Sequence, residues 1–194
     1  MKVGILALQG NYIQHKRIIE KLGIENTLVR YVSDLEKCDS LIIPGGESTA
    51  ISKQIDNNLF RSKLSDFATT NPIMGTCAGM IMLSKTKPTD NMIPLNIMDF
   101  QIDRNAWGKQ IHSFSAPIQL NFDKDRSFHA VFIRAPKINR IGKSVKVISL
   151  YNDEPVLLTN GIHIVSSFHP EIGNDYRIHE YFINQIDEKK IAIS

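Results

Sequence analysis

The first 43 residues alternate between short apolar runs and amphipathic segments, and this alternation constrains the fold more than any other feature of the sequence. The first run, Val3–Leu8, is continuously apolar, as in a central parallel strand that is covered on both faces. The order strand, helix, strand, helix, strand predicts βαβ units and a mainly parallel sheet. The predicted strands are Val3–Leu8, Ile24–Tyr31 and Leu41–Ile43, and the predicted helices are Tyr12–Leu22 and Ser33–Lys37.

The pattern changes in the second half of the chain. Helical sequence over Ala50–Phe67, broken near Asp56–Asn58, is followed after residue 91 by short segments rich in β-branched residues. Asn160-Gly161 between two of them indicates a hairpin, so we expect this half to contain some antiparallel strands. Residues 1–194 contain no repeat or linker, which predicts a single domain. The predicted strand segments are 97–102, 111–120, 128–133, 145–151 and 155–168, and a closing helix is predicted over Asp175–Lys190.

Charge and cysteine content narrow the class of protein. The chain carries 23 Lys and Arg against 20 Asp and Glu, interspersed and without a basic stripe, so we expect no nucleic-acid partner. Its two cysteines do not make a disulfide framework, which favours a reducing compartment. The apolar run at Val3–Leu8 is far too short to span a bilayer, so we expect a cytoplasmic protein with no membrane contact.

Cys77 lies in the stretch Gly75-Thr76-Cys77-Ala78-Gly79, between an apolar strand-like run and an apolar helix-like run. A cysteine with glycine two residues before and after it has the form of a nucleophile elbow. The glycines are needed because a sharp, strained turn leaves no room for Cβ atoms at those positions. The alternative interpretation is a buried structural cysteine in a loop that contains glycine.

A second glycine turn, Gly45-Gly46, follows the predicted strand Leu41–Ile43 and precedes Glu47 and Ser48. Ligands of open α/β sheets bind beyond the carboxyl ends of the strands. Two consecutive glycines at such a point let backbone N–H groups approach an anionic or carbonyl oxygen. The alternative is a plain turn into a helix that Ser48 caps.

His169 and Glu171 end the last predicted strand and lie two residues apart, so in an extended chain both point to the same side. A thiol nucleophile needs a base, and the base needs a group that fixes its tautomer, so Cys77, His169 and Glu171 can supply the three roles. A surface histidine beside a proline and a glutamate is the alternative. We assign the other histidines to structural or surface positions, and we expect no metal site because no Cys or His pairs have ligand spacing: His15, His112, His129, His163 and His179.

Taken together, these motifs resemble the class I, or triad, glutamine amidotransferases, and more narrowly the glutaminase subunits of pyridoxal 5′-phosphate synthase. The class is carried by Pro44–Thr49, Gly75–Gly79 and His169–Glu171, in this order. The resemblance covers nearly the whole chain. It departs at Trp107, where the family more often has Tyr, and at Lys109, where it more often has Arg. The narrower match rests on Leu6–Gly10, Arg104-Asn105, Gly108, Ser113-Phe114 and Phe132–Pro136.

The resemblance implies a flavodoxin-like, three-layer α/β/α fold and a chemistry without a cofactor. Cys77 attacks the side-chain amide of glutamine, His169 moves the proton, Glu171 orients His169, and a γ-glutamyl thioester is hydrolysed to glutamate. The released ammonia passes to a partner, the synthase subunit that makes pyridoxal 5′-phosphate. The implied glutamine-binding residues are Gly46, Glu47, Ser48, Arg104, Ile133 and Arg134, and the implied oxyanion site is formed by Gly45, Gly46 and Ala78 beside Gln9 and Gly10.

Three other functions remain open from the sequence. The glutaminase subunit of the histidine-pathway imidazole glycerol phosphate synthase shares the three catalytic residues, but the segments Gln9-Gly10 and Phe132–Pro136 argue against it. A non-catalytic scaffold that only binds a partner does not require Cys77, His169 and Glu171 to be kept in order. A cysteine peptidase with a related elbow does not account for Arg104 and Arg134.

Overall fold

The structure is a computed structural model that describes residues 1–103 and 113–193, with the side chains of the last helix as far as residue 186. Its strands are β1 Lys2–Leu6, β2 Glu25–Val29, β3 Ser40–Ile43, β4 Ile73–Thr76, β5 Phe100–Asp103, β6 Ser113–Leu120, β7 Asp123–Ile133, β8 Lys137–Ile141, β9 Lys146–Tyr151, β10 Glu154–Thr159 and β11 Ile164–Ser166. Its helices are α1 Tyr12–Lys21, α2 Val32–Leu35, α3 Ser48–Asn57, α4 Phe60–Thr70, α5 Ala78–Leu83 and α6 Arg177–Ile193.

A seven-stranded sheet in the order β2-β1-β3-β4-β11-β10-β9 forms the middle of the protein. The neighbouring strands β2, β1, β3, β4 and β11 all pair in parallel. Strand β10 runs antiparallel to both β11 and β9, and the separate ladders β5-β8 and β6-β7 are antiparallel as well. The mainly parallel sheet and the antiparallel strands of the C-terminal half are therefore confirmed.

Both faces of this sheet are covered. On β3, Leu41 and Ile43 belong to one buried cluster and Ile42 belongs to the other, as the alternation of side chains along a strand requires. The first cluster packs against α3, α4, α5 and the β5-β8 ladder, and the second packs against α1, α6 and the β6-β7 ladder. The result is the three-layer α/β/α arrangement that the resemblance implied.

The structure confirms some predicted details and corrects others. The break predicted near Asp56–Asn58 in the helical sequence Ala50–Phe67 is confirmed, because α3 ends at Asn57, α4 begins at Phe60, and Leu59 between them has a left-handed φ of 59°. The hairpin at Asn160-Gly161 is confirmed, although its loop also includes the next two residues. The strand predicted over 128–133 is longer than expected, because β7 already begins at Asp123, and β8 was not predicted.

The parallel strands β1, β3, β4 and β11 are adjacent in the sheet, so the chain leaves all four at the same edge. Segments that follow these strands contain Gln9-Gly10, Gly45-Gly46, Cys77 and His169. The fold thus brings the motifs of the sequence together from four separate parts of the chain.

Candidate active site

Cys77 lies at the junction of β4 and α5 in a strained conformation, with φ 48° and ψ −102°. Its backbone N–H donates to the Ser166 carbonyl oxygen at 2.8 Å, which fixes the turn against β11. A Cβ atom on Gly75 would lie 2.7 Å from the Gly79 carbonyl oxygen, and one on Gly79 would lie 2.0 Å from the Ile43 carbonyl oxygen. Both glycines are required by backbone crowding, so the predicted elbow is present.

His169 and Glu171 lie immediately beyond β11, next to the elbow. The two side chains are joined by a hydrogen bond of 2.7 Å between His169 Nδ1 and Glu171 Oε1. Both are buried, with 7% and 3% of their surface exposed. A Cβ atom on Gly45 would lie 2.5 Å from His169 Cε1, so the glycine turn after β3 is what allows the imidazole to approach.

The charges of this pair are shaped by burial and by their partners. Burial alone lowers the pKa of His169, but its hydrogen bonds with Cys77 and Glu171 outweigh burial and raise the pKa to about 10. Burial raises the pKa of Glu171, whereas the neighbouring His15 and His169 lower it to about 2. The carboxylate is therefore ionised at neutral pH and stabilises a protonated His169.

A cavity of about 370 Å³ is lined by Cys77 and by His169. Its size is that of a small-molecule site, and its wall is largely polar. Ile81, from the first turns of α5, contributes an apolar patch that the sequence analysis did not assign to the site. The lining residues are Gln9, Gly46, Glu47, Ser48, Cys77, Ala78, Ile81, Ile133, Arg134 and His169.

Two glycine turns lock together at one side of this cavity. The Asn11 backbone N–H donates to the Gly45 carbonyl oxygen at 2.9 Å, and the Glu47 backbone N–H donates to Gln9 Oε1 at 3.0 Å. Gly10 has a φ of 97°, and a Cβ atom there would lie 2.1 Å from the Gly45 carbonyl oxygen. The turn after β1 therefore fixes the orientation of the Gly45 carbonyl.

Arg134 lies at the other side of the cavity, where β7 ends. Its backbone has a φ of 44°, which is a strained conformation for a residue with a side chain. The preceding carbonyl, that of Ile133, lies 3.7 Å from Cys77 Sγ and accepts a hydrogen bond from the thiol. In this strained conformation Arg134 lines the cavity, and the carbonyl of Ile133 contacts the Cys77 sulfur.

The structure thus places nearly all of the predicted site residues around one cavity. Glu171 lies behind His169, and Gly10 and Gly45 lie behind the cavity wall. The predicted residue Arg104 lies outside the described residues, as do Trp107 and Lys109, at which the sequence departs from the family pattern. Ser48 is the first residue of α3 and the N-cap position belongs to Glu47, so the alternative in which Ser48 caps the helix is wrong.

A family model for the SNO glutamine amidotransferase family matches residues 5–188. The chain belongs to this family. Two relatives that are similar over nearly their whole length both carry the name pyridoxal 5′-phosphate synthase subunit PdxT. The protein from Francisella philomiragia subsp. philomiragia is 43% identical over 184 residues, covering 95% of this chain and 98% of its own. The protein from Thermosipho africanus is 43% identical over 190 residues, covering 96% and 99%.

A solved structure described as a glutamine amidotransferase superposes on this SNO family chain with a TM-score of 0.90. It is 38% identical in sequence and covers 95% of this chain and 98% of its own. The shared fold thus extends over both halves of the molecule.

The SNO family motifs did not reveal the residues that surround Glu171. Asn11 Nδ2 donates to Glu171 Oε1 at 3.2 Å, and His15 Nε2 lies 3.5 Å from Glu171 Oε2. His15 and His179 are completely buried and contact each other. One signal in the sequence pointed to His15, because it lies three and four residues before the buried Ile18 and Ile19 and so shares their helix face.

Among residues 1–103 and 113–186, no group of three or more His, Cys, Asp and Glu side chains is arranged to hold a metal ion. Within the described ranges, no helix has the length and apolar character needed to cross a membrane.

Proposed function

We propose that this chain is the glutaminase subunit of a cytoplasmic pyridoxal 5′-phosphate synthase and that residues 1–194 act as one glutaminase domain. In this role it hydrolyses L-glutamine to L-glutamate and ammonia. The observation that carries the proposal is the strained Cys77 elbow beside the hydrogen-bonded pair of His169 and Glu171, opening into a polar cavity. Family membership and the names of the curated relatives support the same reaction.

In the reactive pair the proton of the Cys77 thiol has passed to His169 Nε2, since Nδ1 faces Glu171, and the raised pKa of His169 favours this transfer. The sulfur bonds to the side-chain amide carbon, and the carbon–nitrogen bond breaks as His169 returns the proton to the leaving ammonia. Water then adds to the γ-glutamyl thioester, glutamate leaves and the thiol is restored. The Glu171 carboxylate stabilises the imidazolium of His169 between these steps, and this stabilisation contributes to the raised pKa of His169.

The developing oxyanion needs fixed N–H donors close to the sulfur. The Ala78 N–H follows the nucleophile at the start of α5, and the Gly45-Gly46 turn faces His169 and Cys77. Hydrogen bonds from the Asn11 N–H to Gly45 and from the Glu47 N–H to Gln9 hold this turn. We assign the oxyanion site to these two backbone segments, with Gln9 and Gly10 setting their orientation.

Glutamine carries an α-carboxylate and an α-ammonium group, and the cavity offers a charge for each. Arg134 suits the carboxylate because a guanidinium pairs with it through two parallel hydrogen bonds. Glu47 suits the ammonium, while Gly46, Ser48 and Ile133 line the space between them. Arg104 is assigned to glutamine binding by the resemblance alone.

Ammonia reacts as a nucleophile only in its neutral form, and in water near neutral pH most of it is protonated. A glutaminase of this kind is therefore useful when a synthase subunit docks on it and receives ammonia through a closed path. The curated relatives are named as subunits of such a synthase, which supports this partner.

The test is release of ammonia and glutamate from glutamine, with and without a purified pyridoxal 5′-phosphate synthase subunit. We expect strong stimulation by that subunit and complete loss of release in Cys77→Ala. Release that ignores the subunit contradicts the assignment of the partner, and an imidazole glycerol phosphate synthase subunit is then the next acceptor to test. If no ammonia is released under either condition, the glutaminase function is overturned, and the non-catalytic scaffold that only binds a partner is the remaining alternative.

A further inference from the structure

The first turn of α1 contacts both oxygens of the Glu171 carboxylate. Asn11, directly before α1, donates from Nδ2 to Oε1 at 3.2 Å, and His15 Nε2 lies 3.5 Å from Oε2. The two residues are four apart, so they lie on the same face of the helix. Glu171 Oε2 is buried and has no hydrogen-bond partner among the described residues, so His15 faces it at ion-pair distance without a formed hydrogen bond.

His15 is itself held from behind. Its Nδ1 lies 2.9 Å from His179 Nε2, contributed by α6, and its Nε2 also lies 3.2 Å from Thr76 Oγ1, at the end of β4. His15, Thr76 and His179 have no exposed surface. A fully enclosed group of this kind joins α1, β4, α6 and the His169–Glu171 segment behind the catalytic pair.

The carboxylate selects one tautomer for this histidine pair. If His15 carried its proton on Nδ1, the lone pair of Nε2 would face the Glu171 charge, which is unfavourable. With the proton on Nε2, His15 donates toward Glu171 and Thr76, and its Nδ1 accepts from the Nε2–H of His179. His179 then keeps a bare Nδ1, and this atom has no partner among the described residues.

Both imidazoles remain neutral at physiological pH. Burial lowers the pKa of His15, against the pull of the Glu171 charge. Burial and the neighbouring His15 lower the pKa of His179 to about 3. The titratable groups that face Glu171 are therefore a neutral His15 from α1, with His179 from α6 behind it, and His169. A neutral donor orients the carboxylate while leaving its full charge to stabilise His169.

We propose that Asn11 and His15, with His179 behind them, form a clamp that fixes the Glu171 carboxylate in the orientation needed to direct His169. Asn11 and His15 are positioning residues, since neither lines the cavity over Cys77. The inference rests on the proposed glutaminase function. It adds to that function a second set of residues, which come from α1 and α6. Without the clamp the carboxylate rotates, and His169 is aligned in only a fraction of molecules.

The first test replaces His15 by Phe, which keeps the ring volume and removes the N–H, and by Gln, whose amide reaches about as far as Nε2. In the glutaminase assay with the synthase subunit, His15→Phe is expected to lower kcat on the order of 10- to 100-fold, with KM for glutamine nearly unchanged. His15→Gln is expected to recover most of the loss. The deficit of His15→Phe is expected to widen from about pH 7 to about pH 5, because loss of the donor raises the pKa of Glu171.

His163→Phe is the matched control for these variants. His163 is also a buried histidine, and its Nδ1 accepts the Ile73 N–H at 3.1 Å, at the other end of β4. This substitution is expected to lower thermal stability while leaving kcat and its pH dependence unchanged. The control separates a general loss of packing from loss of the clamp.

Asn11→Asp keeps the test valid if His15→Phe does not fold, because Asn11 is only partly buried and the change preserves its shape. It removes the N–H donor and brings a second carboxylate to Glu171 Oε1, so kcat is expected to fall. A His15→Phe or Asn11→Asp enzyme as active as the unchanged chain overturns the clamp and leaves the glutaminase intact. An unchanged chain that releases no ammonia overturns the proposed function and the clamp with it.

Discussion

The nucleophile and the carboxylate of this site are held in place by different means. Cys77 is fixed by the backbone, through a strained turn, a hydrogen bond to Ser166 and two glycines that have no room for a Cβ atom. Glu171 is fixed by side chains, those of the neighbouring His169 and of Asn11 and His15 from the distant start of α1. A backbone clash cannot be introduced by degrees, so a substitution at either glycine is expected to disrupt the turn. The side-chain contacts of Glu171 can be removed one at a time, and those with histidines depend on pH.

Gly79→Ala is expected to have the largest effect, because the new Cβ atom would lie 2.0 Å from the Ile43 carbonyl oxygen. The backbone has to move, so we expect loss of glutaminase activity and a drop of more than about 3 kcal/mol in the free energy of unfolding. Urea denaturation and the ammonia assay measure the two effects.

Gly161→Ala is the control, since nothing lies within 4 Å of its added Cβ atom. Its left-handed φ of 87° leaves only conformational strain, about 1–2 kcal/mol. If Gly79→Ala is as stable and active as this control, then the elbow is not held by backbone crowding.

Glu171→Gln tests the side-chain half of the comparison. The amide keeps the size of the carboxylate but removes the charge that stabilises protonated His169, so kcat is expected to fall by about 10³-fold. The unfolding midpoint is expected to fall as well, because the lowered pKa of Glu171 means that its charge stabilises the folded protein at neutral pH. Glu180→Gln, the same substitution at an exposed position of α6, is the control, and equal kcat values for the two variants would refute the role of Glu171.

The smallest expected effect is on the pH dependence of stability. The pKa of His179 is about 3 in the folded protein and 6.5 without the fold, so between these values the unfolded chain binds one more proton. Stability therefore falls as the pH decreases through this range, by at most about 1.4 kcal/mol per pH unit for this group. Urea midpoints at several pH values should show a shallower slope for His179→Phe.

Replacement of the exposed His129 by Phe provides the control for this slope. Glu171 acts in the same direction at lower pH, because its pKa of about 2 in the folded state lies below the ordinary value of 4.5. An unaltered slope in His179→Phe would show that the buried histidine is protonated in the folded protein.

The difference between the two halves of the site also decides what the sequence could predict. The Cys77 elbow depends on residues two positions away, and the His169–Glu171 pair on residues two apart, so each is visible as a local motif. The contact of Asn11 with Glu171 joins residues 160 apart, and that of His15 with His179 joins residues 164 apart. No local pattern specifies which distant side chain such a residue meets.

Helix phase shows the same limit. In α1 the apolar Ile13 is 41% exposed, whereas the polar His15 is completely buried. Helical spacing from Ile18 and Ile19 gives the correct face, but a buried histidine needs partners that only the tertiary structure supplies.

Strand β8 was missed for a related reason. Its two isoleucines, Ile138 and Ile141, are three residues apart and so break the alternation that predicts a strand. In the ladder both are paired with apolar residues of β5, Ile102 and Phe100, because the register shifts between them. Because of this irregular pairing, β8 does not show the two-residue alternation of apolar side chains from which strands are predicted.

The position of His179 in the last helix has a consequence for synthesis of the protein. A ribosome produces the chain from Met1 onward, so the elbow and α1 are complete long before α6 emerges. His179 closes the group behind Glu171, and α6 packs on the same face of the sheet as α1. A nascent or truncated chain that lacks α6 therefore carries Cys77, His169 and Glu171 without their full support, and glutamine hydrolysis is tied to completion of the fold.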